Sequence, residues 1–399
     1  MIAERLALNG GDPFRATWLP FHRPCIEDDE IAEVVETLKG GWITTGPRAK
    51  RFEKEFAEYI GAKHSVAVNS ATAAMHLALD AIGLQPGDEV IVPAYTFTAT
   101  AEVVMYFGAT PVIVDVDPRT LNVDPGAVEA AVTERTRAIM PVDIAGIPCE
   151  YDPLRELAEH QKLVLIEDAA HALPTRYRGE LVGTMAGITC FSFYATKTLA
   201  TGEGGMLVTD NDQWAERAQM MSLHGMSRDA WKRHTAEGSW YYEVMAPGFK
   251  YNLTDVAAAL GLRQLTKQAR FLAERTAIAE RYNAAFATIP GIEIPSIPGH
   301  VETSWHLYLL RLNLDRLTCD RAEFIKALNA ENIGTSVHFI PLHLHPSYRD
   351  RFGYTPESFP IAFEQYRRVI SMPIFPGMTD ADVDDVIGAV QKVVRHFRR

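Results

Sequence analysis

The sequence predicts an α/β fold in which a mainly parallel sheet has helices on both faces, followed by a smaller C-terminal α+β domain. Short apolar segments of strand length alternate with longer segments of helical periodicity, a pattern typical of parallel sheets. The chain has 399 residues, and single hydrophobic cores stop growing near roughly 250 to 300 residues. The alternation ends near Ala257. We therefore expect a large domain over residues 1–262, with an N-terminal arm at residues 1–30, and a small domain over residues 263–399.

The spacing of apolar residues places the individual elements. Apolar residues three and four positions apart predict a helix from Pro47 to Ile60 and another after Thr72, because this spacing puts them on one helical face. A long helical segment is predicted to end near Ala287, residues 290–298 to form a linker, and a last helix to run from Asp380 to about Phe397. Short apolar segments between turn residues predict the strands Ser65–Val68, Glu89–Val92, Pro111–Val116, Ala138–Val142 and Leu163–Glu167.

Composition limits the classes of function. The formal net charge is −12, from 39 Lys and Arg against 51 Asp and Glu. Nucleic acid is therefore not expected as a partner, because binding to its phosphate backbone needs a basic surface. Four scattered cysteines favour a reducing compartment over a disulfide framework. With neither a signal peptide nor an apolar segment of membrane-spanning length, we expect a cytoplasmic protein without a membrane partner.

Lys197 and Asp168 form the pattern with the clearest chemistry. Lys197 ends the segment FSFYATK and precedes a glycine-rich turn at residues 202–205, whereas Asp168 ends the apolar segment LVLIED. Open α/β sheets bind ligands at the carboxyl ends of such buried strands. An amine and a carboxylate there suggest a Schiff base to pyridoxal phosphate, because that cofactor needs an amine partner and an anion at its pyridine nitrogen. In the alternative interpretation, Lys197 forms a surface salt bridge and Asp168 caps a helix. Glu167 would then be the more exposed of the two neighbouring carboxylates.

A phosphate site is predicted at Ser70, Ala71 and Thr72, between a strand and a helix. Backbone N–H groups at a helix N-terminus bind anions, and hydroxyl groups add donors. An ordinary helix cap is the alternative interpretation. Ser192 is placed to donate a hydrogen bond to the same phosphate.

Aromatic and imidazole side chains could complete a cofactor site. Phe97 follows another strand end and could stack on the cofactor ring. Alternatively, Phe97 is a core residue, and Tyr95 is the alternative residue for stacking. His171 could hydrogen-bond the cofactor's phenolic oxygen if a helical turn follows Asp168, although lone histidines are more often structural. Phe191, Phe193 and Tyr194 are predicted to form an apolar wall around Lys197; they lie in the segment FSFY.

Several motifs in the same order resemble the DegT/StrS family of sugar-nucleotide aminotransferases, which are fold type I pyridoxal-phosphate enzymes. The likeness runs from about Leu19 to Phe397 and includes AVNSATAAMHLAL, DEVIVPAYTFTATAEVV, IEDAAHA, CFSFYATKTLATGEGGM and GFKYNLTDVAAALG. The resemblance implies that residues 1–262 bind the cofactor and that Lys197 forms its internal aldimine. It assigns the pyridine nitrogen to Asp168, the phosphate to Ala71, Thr72 and Ser192, and the stacking position to Phe97.

The resemblance also implies a homodimer in which residues 248–255 of one subunit complete the neighbour's active site. Whether Lys250 or Asn252 reaches the neighbour's phosphate stays open, because many relatives have Asn-Tyr-Arg where this chain has Lys-Tyr-Asn. The contacts expected with a sugar nucleotide are Trp42, Thr44, Thr45, Tyr194 and His338. No metal site is expected, because His338, His343 and His345 have no associated cysteine or acidic cluster.

The resemblance implies ping-pong transamination from L-glutamate to a nucleotide-linked keto sugar through the Lys197 aldimine, giving an amino sugar and 2-oxoglutarate. Residues 224–247, with Trp231 and Trp240, are similar to the branch that aminates C4 of UDP-linked 4-keto sugars. Amination at C3, a pyridoxal-phosphate-dependent sugar dehydratase and a non-enzymatic regulator on the same scaffold are the alternatives. Lysine at position 197 favours amination, because dehydrating relatives carry histidine there.

Overall fold

The structure, a computed structural model, describes residues 5–227 and 241–399. Its strands are β1 (His64–Val68), β2 (Glu89–Pro93), β3 (Thr110–Val114), β4 (Thr136–Ile139), β5 (Val164–Asp168), β6 (Arg176–Tyr177), β7 (Glu180–Leu181), β8 (Ile188–Ser192), β9 (Gly205–Thr209), β10 (Ile292–Glu293), β11 (Val301–Glu302), β12 (Tyr308–Leu312) and β13 (Val369–Met372). Trp231 and Trp240 lie outside the described residues.

The α-helices surround these strands along the whole described chain. They are α1 (Asp28–Lys39), α2 (Pro47–Ile60), α3 (Ala71–Ala81), α4 (Ala99–Met105), α5 (Pro125–Ala131), α6 (Tyr151–Gln161), α7 (Asp212–Met221), α8 (Asp255–Thr266), α9 (Gln268–Phe286), α10 (Arg321–Ala330), α11 (Pro346–Phe352), α12 (Pro360–Arg368) and α13 (Asp380–Phe397). Among the described residues, no helix is both long and apolar enough to span a membrane.

The central sheet confirms the predicted mainly parallel architecture. Seven described strands lie in the order β1-β9-β8-β5-β4-β2-β3. The pairs β2–β3, β2–β4, β4–β5 and β5–β8 are parallel, and β9 is antiparallel to both β1 and β8. Strands β8 and β9 are not among the strands predicted above, although both are short and mostly buried.

Both faces of the sheet are buried by helices. Successive residues of a strand face opposite sides, and Ile166 of β5 packs in one core cluster with residues of α3 and α4. Its neighbour Leu165 packs in another cluster with residues of α2, α6 and α8. This two-sided burial confirms the predicted α/β layering.

The C-terminal residues have a third core cluster, drawn from α9, α10, α13, β12 and β13. Leu6 and Leu19 of the N-terminal arm also pack there, and β10, β12 and β13 form a separate sheet. Helix α8 runs through the predicted boundary at residues 262/263, and its Leu265 packs with the core of the central sheet. The division at that boundary stays a prediction.

Helix bounds agree with the sequence pattern at Pro47–Ile60 and Asp380–Phe397, which are α2 and α13. The long helical segment predicted after Ala257 is instead two helices, α8 and α9, which meet at Lys267. The Lys267 ammonium contacts three carboxylates of the α1 N-terminus, those of Glu27, Asp29 and Glu30. Apolar periodicity continues across this junction, so the sequence pattern alone does not reveal it.

A close approach of α8 to α2 yields a test of the packing. A Cβ atom added at Gly261 would lie 2.6 Å from Cζ of the buried Phe52 ring. We expect Gly261→Ala to lower the free energy of unfolding by about 1–3 kcal/mol, although alanine in a helix is otherwise favoured over glycine by about 1 kcal/mol. Urea unfolding measures the change. In a Phe52→Leu background the cost should shrink, and equal costs in both backgrounds would contradict the clash.

Candidate active site

A cavity of about 340 Å³ opens at the carboxyl end of β5. Parallel strands point their carboxyl ends to the same edge of a sheet, so residues that follow β2 and β5 meet there. Most of the predicted site residues line this cavity: Ser70, Ala71, Thr72, Phe97, Asp168, His171, Ser192, Tyr194, Lys197 and His338. The fold thus assembles groups that are far apart in the sequence.

Lys197 lies in the turn that follows β8, and its backbone N–H donates to the Tyr194 carbonyl at 2.8 Å. Part of its side chain faces the cavity, but the surrounding protein removes the ammonium from bulk water. Burial lowers the pKa of Lys197 to about 8, although the negative charge of Asp168 acts in the opposite direction. A lysine with this pKa presents a substantial neutral fraction near neutral pH, as a nucleophile or base requires.

Asp168 ends β5 and is 4% exposed. Its Oδ2 accepts a hydrogen bond from Thr100 Oγ1 at 2.8 Å, and its Oδ1 accepts one from the Ala170 N–H at 3.2 Å. The hydroxyl groups of Thr96 and Thr100 are also 2.8 Å apart. Burial raises the pKa of Asp168, while these two hydrogen bonds and the charge of Lys197 oppose the rise. The donors fix the carboxyl group in one orientation toward the cavity.

The alternative interpretation, in which Glu167 is more exposed than Asp168, is wrong. Glu167 is fully buried, and its Oε2 accepts a hydrogen bond from Thr189 Oγ1 of the adjacent strand at 2.7 Å. Because successive residues of β5 face opposite sides of the sheet, Asp168 faces the cavity and Glu167 faces away from it.

The turn before α3 can hold an anion. Ser70 Oγ accepts from the Ala73 N–H at 3.1 Å and so caps the helix, which is the alternative interpretation of that serine. The N–H groups of Ala71 and Thr72 lie in the first helical turn, where N–H groups lack helical partners. A Cβ atom at Gly205 would lie 2.5 Å from the Ser70 carbonyl carbon. Only glycine therefore lets β9 pass beside this turn.

Of the two candidate stacking residues, only Phe97 reaches the cavity. Its side chain is 57% exposed, whereas Tyr95 is fully buried in the core. The Phe97 ring lies 5.9 Å from the Phe339 ring, which also lines the cavity. Phe97 can therefore cover one face of a flat ligand.

His171 reaches the cavity from a turn, not from the helical turn that the sequence suggested, since residues 169–175 contain no helix. Its Nδ1 lies 3.2 Å from the Ala145 N–H, which donates to it. Burial lowers the pKa of His171 well below its ordinary value, and the positive charge of Lys197 lowers it further. The ring is thus neutral, and its hydrogen is on Nε2.

The prediction that Phe191, Phe193 and Tyr194 form an apolar wall around Lys197 is wrong for Phe191 and Phe193. Phe191 and Phe193 are fully buried and pack against Phe56, with ring centroids 5.2 and 5.5 Å away. Strand alternation turns Phe191 away from the side that Ser192 faces. Of the three, Tyr194 alone lines the cavity.

Five predicted site residues lie elsewhere in the subunit: Trp42, Thr44, Thr45, Lys250 and Asn252. Lys250 Nζ donates to Asn252 Oδ1, and Asn252 Nδ2 donates to Thr45 Oγ1 at 2.6 Å. Trp42 Nε1 donates to the Thr45 carbonyl at 2.9 Å, and the Thr44 carbonyl accepts from the Asp255 N–H at 3.0 Å. Thr45 and Asn252 line a separate cavity of about 520 Å³. These residues do not contact the cavity of their own subunit.

His338, His343 and His345 do not form a group with metal-ligand spacing among the residues that the structure describes. His338 lines the cavity, and its Nδ1 lies 2.8 Å from Ser371 Oγ. Burial and the charge of Lys197 lower the pKa of His338 to about 4. Within residues 5–227 and 241–399, the group with metal-ligand spacing is Glu27, Asp29 and Glu30, which instead binds the Lys267 ammonium.

Several residues in or beside the site carry no signal in the sequence. Thr100 orients Asp168, Ala145 donates to His171, and Phe339 lines the cavity. His22 Nε2 lies 3.1 Å from the carbonyl oxygen of Ala195, two residues before Lys197. Hydroxyl groups, backbone N–H groups and lone aromatic residues occur throughout any chain, so only the tertiary contacts identify these.

The cavity fits pyridoxal phosphate. It contains a partly neutral amine, an oriented carboxyl group and a helix N-terminus that Gly205 leaves accessible. Phe97 supplies an aromatic face, and His171 supplies a donor at Nε2. Each group corresponds to one part of that cofactor: aldehyde, pyridine nitrogen, phosphate, ring and phenolic oxygen.

Known proteins resemble this chain over nearly its whole length. Two relatives, the uncharacterized protein MJ1066 of Methanocaldococcus jannaschii and the spore coat polysaccharide biosynthesis protein SpsC of Bacillus subtilis, are 51% and 50% identical. Each match covers 96% of this chain, and it covers 100% of MJ1066 and 98% of SpsC.

Solved structures are similar over nearly the whole chain. The PLP form of the putative sugar aminotransferase Spr1654 from Streptococcus pneumoniae has a TM-score of 0.89 and is 36% identical, covering 95% of this chain and 99% of that one. Its PMP form has the same TM-score. PseC of Helicobacter pylori, an aminotransferase involved in pseudoaminic acid biosynthesis, also has a TM-score of 0.89 at 28% identity and covers 96% of this chain and 100% of its own.

These matches confirm the predicted fold type and the predicted pyridoxal phosphate cofactor. The model of the DegT/DnrJ/EryC1/StrS aminotransferase family matches residues 24–391. The chain therefore belongs to the DegT/DnrJ/EryC1/StrS aminotransferase family of pyridoxal-phosphate-dependent enzymes.

Proposed function

We propose that the chain is a sugar aminotransferase that transfers the amino group of L-glutamate to the C4 ketone of a UDP-linked 4-keto sugar. The observation that carries the proposal is the presence of Lys197, Asp168 and the α3 N-terminus around one cavity. The names of Spr1654, a putative sugar aminotransferase, and of SpsC, a polysaccharide biosynthesis protein, support a sugar substrate. The C4 position and the UDP group rest on the resemblance of residues 224–247 to that branch.

The residues of the cavity have separate roles in this reaction. Pyridoxal phosphate, when bound, supplies an aldehyde for the donor's amino group and a ring that withdraws electrons. The neutral Lys197 amine removes the proton from the α carbon of the donor, and in the second half of the reaction it delivers a proton to C4 of the sugar. Asp168 holds a proton at the pyridine nitrogen. The N–H groups of Ala71 and Thr72, with the Ser192 hydroxyl, bind the phosphate.

The same residues favour amination over the alternatives. A dehydrating relative would carry histidine at position 197, and a regulator on the same scaffold would not need to keep both Lys197 and Asp168 in one cavity. The buried carboxyl group of Asp168, held by Thr100 and the Ala170 N–H, is arranged for chemistry at a bound ring. Amination at C3 differs only in how the sugar is oriented.

We also propose a homodimer with shared active sites. Lys250 and Asn252 do not contact the cavity of their own subunit, so they are available to a neighbouring one. Helix α1 exposes apolar side chains on one face, with Ile31 53% and Leu38 54% exposed. Such an exposed apolar face is typical of a surface that is covered by a partner.

The ionisation of Lys197 predicts the pH dependence of cofactor capture. Only the neutral amine attacks an aldehyde, so the rate at which apo-enzyme captures pyridoxal phosphate should rise about tenfold per pH unit below the pKa and level off near pH 8. Stopped-flow absorbance measures this rate. Asp168→Asn should move the midpoint to lower pH, because the carboxylate raises this pKa. The Lys197→Ala variant should capture no pyridoxal phosphate. A pH midpoint of the capture rate near 10.5, the ordinary pKa of lysine, would contradict the prediction.

A label-transfer assay tests the proposed reaction. L-glutamate labelled at its amino nitrogen is mixed with enzyme and with UDP-linked 4-keto or 3-keto sugars, and products are identified by mass spectrometry. We expect the label in the product of the 4-keto sugar, and Lys197→Ala should lower this transfer by at least about a hundredfold. Label in the 3-keto product alone would overturn the C4 assignment. Loss of water without label would indicate a dehydratase.

Mixed dimers test whether active sites are shared. Lys197→Ala and Asn252→Ala subunits, each of which we expect to have little activity in a pure dimer, are mixed in equal amounts after mild dissociation. Because each hybrid dimer has one site with both residues intact, about a quarter of wild-type activity should return. Coupled oxoglutarate detection measures it. If the mixture is no more active than the separate variants, Asn252 does not contribute to the neighbour's active site. The same experiment with Lys250→Ala shows whether Lys250 contributes instead.

A further inference from the structure

Two buried carboxyl groups, those of Asp143 and Glu167, lie behind the strand end that carries Asp168. Both side chains are fully buried, and the two groups are within hydrogen-bonding contact. Asp143 Oδ1 accepts from the Cys149 N–H at 2.9 Å and from the Tyr151 hydroxyl at 2.8 Å. Asp143 Oδ2 and Glu167 Oε1, in contrast, are buried without a hydrogen-bond donor.

A single proton shared by Asp143 and Glu167 would remove the repulsion between the two carboxyl groups. Two ionised carboxylates in contact and away from water repel each other, and each orphaned oxygen loses the free energy of hydration. One hydrogen between the two carboxyl groups gives both oxygens a partner. The groups that face the pair are Tyr151, Thr189, Cys149, Cys190 and Asp168, and none of these is a cation that could take the place of the proton.

The direction of the ionisation agrees with the geometry. Burial raises the pKa of Asp143 well above its ordinary value, and the charge of Glu167 raises it further. Burial also raises the pKa of Glu167, although the nearby Tyr151 hydroxyl and the hydrogen bond from Thr189 oppose the rise.

The loop that follows β4 connects this pair to the cavity. The Asp143 N–H donates to the Asp168 carbonyl at 3.2 Å, and the Asp168 N–H donates to the Pro141 carbonyl at 2.9 Å. Two residues further on, the Ala145 N–H donates to His171 Nδ1. Ala145 has a φ of 59°, which residues other than glycine seldom adopt. The loop therefore needs an anchor, and the Asp143 carboxyl group is bonded within it to the Cys149 N–H.

We propose that Asp143 and Glu167 share one proton and act as a positioning pair, which holds residues 141–147 so that their backbone orients Asp168 and fixes the tautomer of His171. The proposal rests on the roles proposed above for Asp168 and His171. Neither Asp143 nor Glu167 lines the cavity, so the pair acts through its neighbours. A substitution in the pair should therefore weaken cofactor binding even though Asp168 and His171 are themselves unchanged.

Proton linkage without cofactor or substrate tests the shared proton. The folded protein keeps a proton that the unfolded chain releases near pH 4, so this pair lowers wild-type stability as pH rises above that value. In Asp143→Asn the amide donates to Glu167 in place of the proton. Its unfolding equilibrium constant relative to wild type should therefore fall about tenfold per pH unit between pH 5 and the pKa of the pair. Urea unfolding measures it, and a constant ratio would overturn the proposal.

Glu89→Gln is the matched control on the same sheet. Burial alone would raise the pKa of Glu89, but hydrogen bonds from Thr133 and Arg135 outweigh it and the pKa is lowered. Its carboxylate is thus ionised in both states above about pH 5. The ratio of the Glu89→Gln unfolding constant to that of wild type should stay level in this range, and a slope like that of Asp143→Asn would contradict a specific linkage.

Cofactor affinity tests the positioning role. Equilibrium dialysis of apo-enzyme with pyridoxal phosphate compares Asp143→Ala with Asp143→Asn, after circular dichroism has shown that both are folded. We expect the alanine variant to bind at least about tenfold more weakly and the asparagine variant to recover most of the affinity. Equal affinities would overturn the positioning role. Neither measurement uses a keto sugar, so an error in the proposed substrate would leave these results unaffected.

Discussion

Burial of an amine and a carboxyl group in one cavity is the constraint on which the site depends. In water a lysine amine would be almost fully protonated at neutral pH, but removal from solvent lowers the pKa of Lys197 to about 8. Asp168 limits this shift because its negative charge favours the ammonium. The balance between desolvation and that charge sets how much neutral amine is available.

The fold supplies this environment through the ends of rigid elements. Asp168 ends β5, Lys197 follows β8, and the N–H groups proposed to bind the phosphate begin α3. The antiparallel strand β9 brings Gly205 against the turn before α3, where any side chain would collide. Sheet geometry therefore sets the positions of Asp168 and of the turn before α3, whereas Lys197 lies in the turn that follows β8.

A second level of contacts orients the groups that face the cavity. Thr100 and the Ala170 N–H hold Asp168, and the Ala145 N–H holds His171. Such partners decide which oxygen or nitrogen faces a ligand, which matters because a cofactor is polarised only by correctly oriented donors and acceptors. The cluster of Thr45 and Asn252, by contrast, does not line the cavity of its own subunit, and we propose for it a role across a dimer interface.

The sequence by itself determined the fold class, helices α2 and α13, and Lys197 and Asp168 as a pair, because apolar periodicity and short motifs are local properties of the chain. It did not determine that α8 and α9 are separate helices, that Phe191 and Phe193 belong to the core, or that Glu167 faces away from the cavity. Those depend on which face of a strand or helix each residue occupies after packing. Tertiary structure alone brought Thr100 to Asp168 and Ala145 to His171, because hydrogen bonds between distant segments leave no pattern in the order of residues.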